Sequence, residues 1–210
     1  MENTHAQNQG GAMIQEKEQN PEVQDRRIRK TRAALKRSLT TLMMQKRVKD
    51  ISVRELTELA DVNRGTFYLH YKDVFDLLDQ SEADLLEEFH SVINAFDPEK
   101  VKNNPGTVFE SIYKLCLENA DLVRILIGEN GDIKFLNKLK VLVREKCLND
   151  WSFILKKQKE EHFDAYYAFV VGGCISLLQY WFTSGMRETP HELSDITSGI
   201  INGGIAAISA

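Results

Sequence analysis

The sequence predicts an all-α chain: a small basic head on a larger helical body. Three observations carry this. Apolar positions recur three and four residues apart rather than alternating, with only 4 prolines in 210 residues. Hydrophobic residues make up 42% and charged residues 28%, ordinary values for a soluble globular chain. Charge is segregated: residues 25–72 hold thirteen Lys+Arg against five Asp+Glu, a net +8. The whole chain is -4, so the remainder carries -12. A basic segment on an acidic body fits a module that binds a polyanion, although a solvated basic helix has the same composition. The boundaries read as a disordered tail (1–24), a head (25–72) and a body (73–210).

The tail is rich in Gln, Asn, Glu and Gly and nearly lacks large apolar residues, so it cannot offset the entropy of ordering. From Asp25 a helix of about five turns runs to about Lys46, its apolar stripe formed by Ile28, Leu35, Leu39, Leu42 and Met43. Ser52 with Glu55 three residues on is a capping box: the serine oxygen accepts a backbone N–H and the glutamate reaches back. A short helix follows through Val53, Leu56, Leu59 and Ala60. Asp61-Val62-Asn63 breaks it, and Asn63 caps another from Arg64 to about Tyr71. A longer helix starts near Asp73, and Asp97-Pro98 and Asn103-Asn104-Pro105-Gly106 are breakers. Beyond them helices are expected near 107–119, 121–128, 132–156, 162–184 and 190–208. Residues 165–182 are apolar nearly all round, which predicts burial on several sides. Gly172-Gly173, Ser176, Gln179 and the tyrosines favour a buried helix of a soluble protein over a membrane span.

The short-helix, turn, short-helix unit at 52–71 has the dimensions of a helix-turn-helix, whose second helix enters the major groove of DNA. Arg64 can reach guanine, Thr66 and Tyr68 can donate to phosphate, and Lys72 adds charge. Gly65 leaves room for close backbone approach. From Ile51 to Leu78 the chain reads Ile-Ser-Val-Arg-Glu-Leu-Thr-Glu-Leu-Ala-Asp-Val-Asn-Arg-Gly-Thr-Phe-Tyr-Leu-His-Tyr-Lys-Asp-Val-Phe-Asp-Leu-Leu. That run closely resembles the DNA-binding domain of the TetR family of bacterial transcriptional regulators. The all-helical remainder extends the resemblance to about residues 26–208. The run Gly172-Gly173-Cys174, Leu177-Leu178, Tyr180-Trp181 resembles one subgroup's penultimate helix.

The resemblance implies a DNA-binding set of Ser52, Val53, Arg54, Asn63, Arg64, Gly65, Thr66, Tyr68, Leu69, His70, Tyr71 and Lys72. Phe67 is implied to pack inward. Two positions depart from the family pattern. Asp61 stands where glycine usually serves a left-handed turn, so it adopts that turn at some cost or shifts it. Val74 stands where a lysine usually holds phosphate, leaving Lys72 as the replacement.

The resemblance further implies a homodimer paired through the last two long helices, reading two half-sites roughly 34 Å apart or a multiple of it. Interface candidates are Gly172, Gly173, Ile175, Leu178, Ile200, Gly203, Gly204 and Ala207. It also implies a pocket for a small-molecule effector or a contact for a protein co-regulator, with wall candidates Phe109, Tyr113, Leu126, Phe135, Tyr166, Phe169 and Trp181; plain core packing is the competing reading of each. The five histidines show no metal spacing, no nucleotide-binding or hydrolase motif appears, and no cofactor or enzymatic activity is expected. Three widely spaced cysteines and no secretory leader fit a reducing cytoplasm. The expected function is a transcriptional regulator, read as a repressor, that binds a near-palindromic double-stranded operator. A helical ligand carrier or enzyme with an incidental basic start, and a nonspecific architectural DNA binder, stand as alternatives.

Overall fold

The computed structural model describes residues 21–104, 106–128, 131–149 and 163–208, and all regular structure among them is helical. Two compact units result, Met1–Asp79 and Gln80–Ala210. The expected tail of residues 1–24 lies mostly outside the described residues. Its last four positions do not fit that expectation, because helix α1 spans Pro21–Met43. Proline is a natural first helical residue: φ is preset, and the N–H it lacks would have no partner there.

In the first unit α1 buries Leu35, Leu39 and Leu42. A short 3-10 turn at Val48–Asp50 leads to α2 (Val53–Ala60), and α3 is Arg64–Tyr68. Both expected N-caps form. Ser52 Oγ accepts from Glu55 N at 3.2 Å, and Asn63 Oδ1 accepts from Gly65 N at 2.7 Å. The capping box is only half made, however. The Glu55 carboxylate grips Lys46 Nζ at 2.7 and 2.6 Å, tying α2 to the segment that follows α1. A lysine within reach attracts a carboxylate more strongly than a backbone N–H does. Asp61 takes the left-handed turn itself, with φ 53 and ψ 44, and its N–H bonds back to the last turn of α2. Aspartate is among the few residues that visit this region at modest cost.

Helix α4 (Val74–Asn94) opens on Asp73, whose Oδ1 accepts from Asp76 N at 2.9 Å, while Asp76 Oδ2 accepts from Lys72 N at 2.8 Å. The pair Asp97-Pro98, expected only as a breaker, also starts a helix, α5 (Pro98–Asn103). Asp97 Oδ1 caps it through Glu99 N at 2.9 Å, and Pro98 occupies the first helical position. This turn seats Val101 against Ile93 and Val108 in a small buried cluster.

The second unit continues with α6 (Gly106–Glu118), α7 (Ala120–Ile127), α8 (Ile133–Asn149), α9 (Phe163–Thr183) and α10 (Pro190–Ile208). The expected extension of α8 to 156 lies outside the described residues. Helices α6 and α10 pair most extensively. There the Thr197 hydroxyl donates to Leu193 O, so its oxygen accepts the Tyr113 hydroxyl at 2.7 Å. Gln179 on α9 donates to the Ile127 carbonyl at the end of α7. Along the α8–α9 seam Arg144 pairs with Asp164 at 2.8 Å, and the Tyr167 hydroxyl donates to the Lys140 carbonyl. The turn from α9 to α10 uses positive φ at Gly185 (88) and Met186 (53). It lets the Trp181 indole donate to Glu188 O at 2.9 Å.

Burial of α9 on several sides does not hold in the protomer. Phe163, Trp181 and Phe182 are buried, but Ala165, Ala168, Phe169, Gly172, Gly173, Ser176 and Tyr180 form one exposed stripe. By length and composition alone α9 could cross a membrane, with 21 residues and mean hydropathy 1.2. Its bonds to α7 and α8 are those of a helix packed within a bundle.

Candidate nucleic-acid interface

The helix-turn-helix faces are fixed by what the first unit buries. Phe67 is fully buried and packs edge-on against Tyr68 (centroids 5.4 Å) and tilted against Tyr71 (5.7 Å). With Phe67 inward, the opposite side of α3 must face outward. Arg64 is exposed and has no ion pair among the described residues, Tyr68 is 59% exposed and Leu69 80%. Asn63 and Gly65 are exposed beside them, Thr66 and His70 half-buried, and Lys72 exposed. Gly65 has a reason internal to the protein: a Cβ there would lie 3.1 Å from the Asn63 cap oxygen.

One residue of the expected set is drawn inside. Tyr71 is only 4% exposed, and its hydroxyl accepts from Arg32 Nε of α1 at 3.1 Å, with the guanidinium 6.0 Å from the ring centroid. It is a core residue that pins α1 against the end of α3, not a surface contact. Val74, which stands where the family pattern has a phosphate-binding lysine, is buried as well.

At the start of α2, Ser52 is exposed and committed to its cap, Val53 is half-buried and Arg54 exposed. Arg54 Nε bonds Glu58 Oε1 at 2.7 Å, and this carboxylate holds the guanidinium even more firmly protonated than usual. Contact with a phosphate must therefore compete with Glu58. Exposed cations, outward tyrosine and leucine, and a helix N-terminus together suit contacts to phosphate and base edges.

The wall candidates of the second unit separate into two groups. Tyr113, Leu126, Phe135 and Trp181 are buried, Tyr113 and Trp181 with their polar atoms satisfied and their rings 6.1 Å apart. Phe109 and Tyr166 are half-buried. Phe169 does not belong with them: it is 76% exposed on the outer stripe of α9. A helix apolar all round gives its sequence no phase from which to tell the two sides apart. Among the interface candidates Gly172, Gly173 and Ile200 are exposed, and Ile175 and Leu178 half-buried. Gly203, Gly204 and Ala207 lie on the last turns of α10, where the side chains are outside those described.

The three cysteines are free thiols. Burial pushes Cys116 up to about 12 and Cys147 and Cys174 up to about 11, which favours the neutral thiol over the thiolate. Among the described residues no three His, Cys, Asp or Glu side chains gather as metal ligands would. Sequence reasoning does not foresee that Cys147 and Cys174 lie near the Tyr166 phenol, because nothing in their spacing joins separate helices.

Residues 103–203 match a TetR family model described as a transcriptional regulator C-terminal region. The whole fold is similar to the crystal structure of a TetR transcriptional regulator from Streptococcus agalactiae, with TM-score 0.54 and 24% identity over 87% of this chain and 99% of that one. It is also similar to FadR, a fatty acid degradation regulator from Bacillus halodurans, with TM-score 0.58 and 14% identity over 83% and 95% of the two chains. At these identities the structural likenesses establish the fold. No curated protein matches the sequence. The family match across residues 103–203 and the shared helical fold agree in pointing to the TetR family of transcriptional regulators as what this chain is similar to.

Proposed function

We propose that the protein is a repressor that binds a near-palindromic operator as a homodimer and releases it when a ligand or partner protein engages the second unit. The observation that carries the DNA-binding reading is the outward side of α3. Phe67 and Tyr71 are buried, which leaves Arg64, Tyr68 and Leu69 exposed on a head of net +8. The dimer reading is supported by the stripe from Ala165 to Tyr180, together with exposed Ile196 and Ile200 on α10. Contiguous apolar surface of this kind marks an interaction site. In this reading an effector favours a dimer geometry whose recognition helices no longer match the groove spacing, by as much as its differential affinity allows.

Selection of bound fragments from a random duplex pool tests the whole reading. The expected motif is an inverted repeat whose half-sites lie about one helical turn, or a multiple, apart. Its affinity should exceed that for random DNA by roughly 10³ or more. Arg64→Ala is expected to cost about 1–3 kcal/mol and to relax preference at one position per half-site. Recovery of unrelated sequences, with the variant equally weak on all of them, would identify a nonspecific DNA binder instead.

A further inference from the structure

The basic residues of the head do not all belong to its helix-turn-helix. From Gln24 to Lys30 every residue of α1 is exposed, whereas from Leu35 onward the helix buries Leu35, Leu39 and Leu42. Ile28 continues that apolar stripe seven residues earlier, yet it is left 36% exposed. These seven residues make a projection about 10 Å long beyond the packed head. Within it Arg26, Arg27, Arg29 and Lys30 outnumber Asp25, which pairs with Arg29 at 3.7 Å. Arg26, Arg27 and Lys30 have no ion pair among the described residues. They stand three or four positions apart in the pairs Arg26–Lys30 and Arg27–Lys30, so like charges repel along the helix. The four cations cover roughly 160° of the circumference, on the side opposite Ile28.

A charged helix end that packs on nothing and repels itself gains from a polyanion laid against it. Its place in the head says which one. Arg32, two residues further on, donates to the Tyr71 hydroxyl at 3.1 Å, and Tyr71 follows the end of α3 by three residues, with exposed Lys72 next to it. The projection therefore starts beside one end of α3, the helix whose other end presents Asn63 and Arg64. We infer that the start of α1 is a second DNA contact: an arm that lies along the phosphate backbone beside the segment α3 meets, and adds affinity without reading bases. Its length matches about three nucleotide steps of one strand. This inference deepens the proposed function and rests on α3 entering a duplex.

The test is fluorescence anisotropy of the full chain on a selected operator and on random duplex, across a salt series. Arg26→Gln, Arg27→Gln and Lys30→Gln are combined in one variant. It should flatten the slope of log affinity against log salt by about 2–3, since each lost phosphate contact removes about 0.9, and leave the ratio of operator to random affinity unchanged. Arg26→Lys with Arg27→Lys should keep the wild-type slope, because a phosphate contact needs charge rather than a planar fork. A control variant with Lys134→Gln, Lys138→Gln and Lys140→Gln removes the same charge from exposed positions of α8 and should also keep it. Hydroxyl-radical footprints should show backbone protection beside each half-site that the α1 glutamine variant loses, while its melting temperature does not fall. An unchanged slope and footprint, equal flattening by the α8 control, a lower melting temperature, or an altered base preference each overturns the arm. If any of these occurs while the wild type still prefers its operator through Arg64, only the arm fails; a wild type that binds no duplex sinks the regulator as well.

Discussion

Asn63 holds two properties of the head in one side chain, and Asn63→Asp pulls them apart. The amide oxygen caps the five-residue α3 through Gly65 N at 2.7 Å, and the residue is exposed beside Arg64. Asparagine and aspartate cap equally well, whereas alanine costs typically about 1 kcal/mol. Asn63→Asp should therefore stay within about 0.5 kcal/mol of the wild type, while Asn63→Ala lowers the melting temperature by about 2–4 °C at this chain length. DNA binding should rank the variants differently. An added negative charge facing phosphate costs about 1–3 kcal/mol at contact distances and intermediate dielectric. It also cancels about one neutralised phosphate, so the slope of log affinity against log salt flattens by about 0.9. Thermal melts give the first quantity, and fluorescence anisotropy on a labelled operator across a salt series gives the second. If Asn63→Asp proved as unstable as Asn63→Ala, the cap would be refuted. A stable Asn63→Asp protein with an unchanged salt slope would refute the placement of α3 on the duplex.

Three further expectations concern the rest of the molecule. Tyr71→Phe removes the acceptor for Arg32 and should cost about 1 kcal/mol in denaturant titration, yet leave the salt slope of DNA binding unaltered because the ring is core. His191 on α10 is held above its ordinary range first by its hydrogen bond to Glu110 of α6 and then by Asp195, against the opposing charge of Lys114. A raised histidine stabilises fully below its unfolded value of about 6.5 and ceases to as pH rises through its folded value. Melting temperature should thus fall slightly over that window in the wild type and stay flatter in His191→Gln, the effect being small because the group is exposed. Gly172→Leu adds bulk where a Cβ meets nothing within 4 Å, so the protomer should fold normally while sedimentation shifts from dimer toward monomer; an undisturbed dimer would exclude this face as the contact.

Local chemistry is legible in the sequence, and tertiary choices are not. Ser52 and Asn63 announce their caps because capping needs only neighbouring backbone. At Asp61 the sequence leaves two outcomes open, the left-handed turn or a shifted one, and the structure takes the first. Glu55 defeats the same logic, because its partner Lys46 arrives from another segment. Asp97-Pro98 reads in sequence as an end alone, although the residues that stop one helix are also those that start the next. Tyr71 is the subtler case. Helix α3 has only five residues, too short to give a phase, so the inward turn of the ring toward Arg32 follows from packing with α1.

Helix α9 shows why all-round apolarity need not mean all-round burial. One side carries Phe163, Tyr166, Cys174 and Trp181 toward the bundle, and a protomer needs no more than that side. The opposite side still lacks charge, and it holds Gly172 and Gly173 in a helix interior, where each glycine costs about 0.5–1 kcal/mol relative to alanine. Neither glycine makes room for anything within the protomer, since the space beside each is empty. The cost is borne twice in one helix, between exposed Phe169 and Tyr180, with nothing inside the chain to offset it at these two positions. In the proposed dimer, close approach of a second α9 would offset it, because residues without side chains let two helix backbones meet. On that proposal the same sequence stretch serves two contacts, and the outer one comes into view only when the helix is taken face by face.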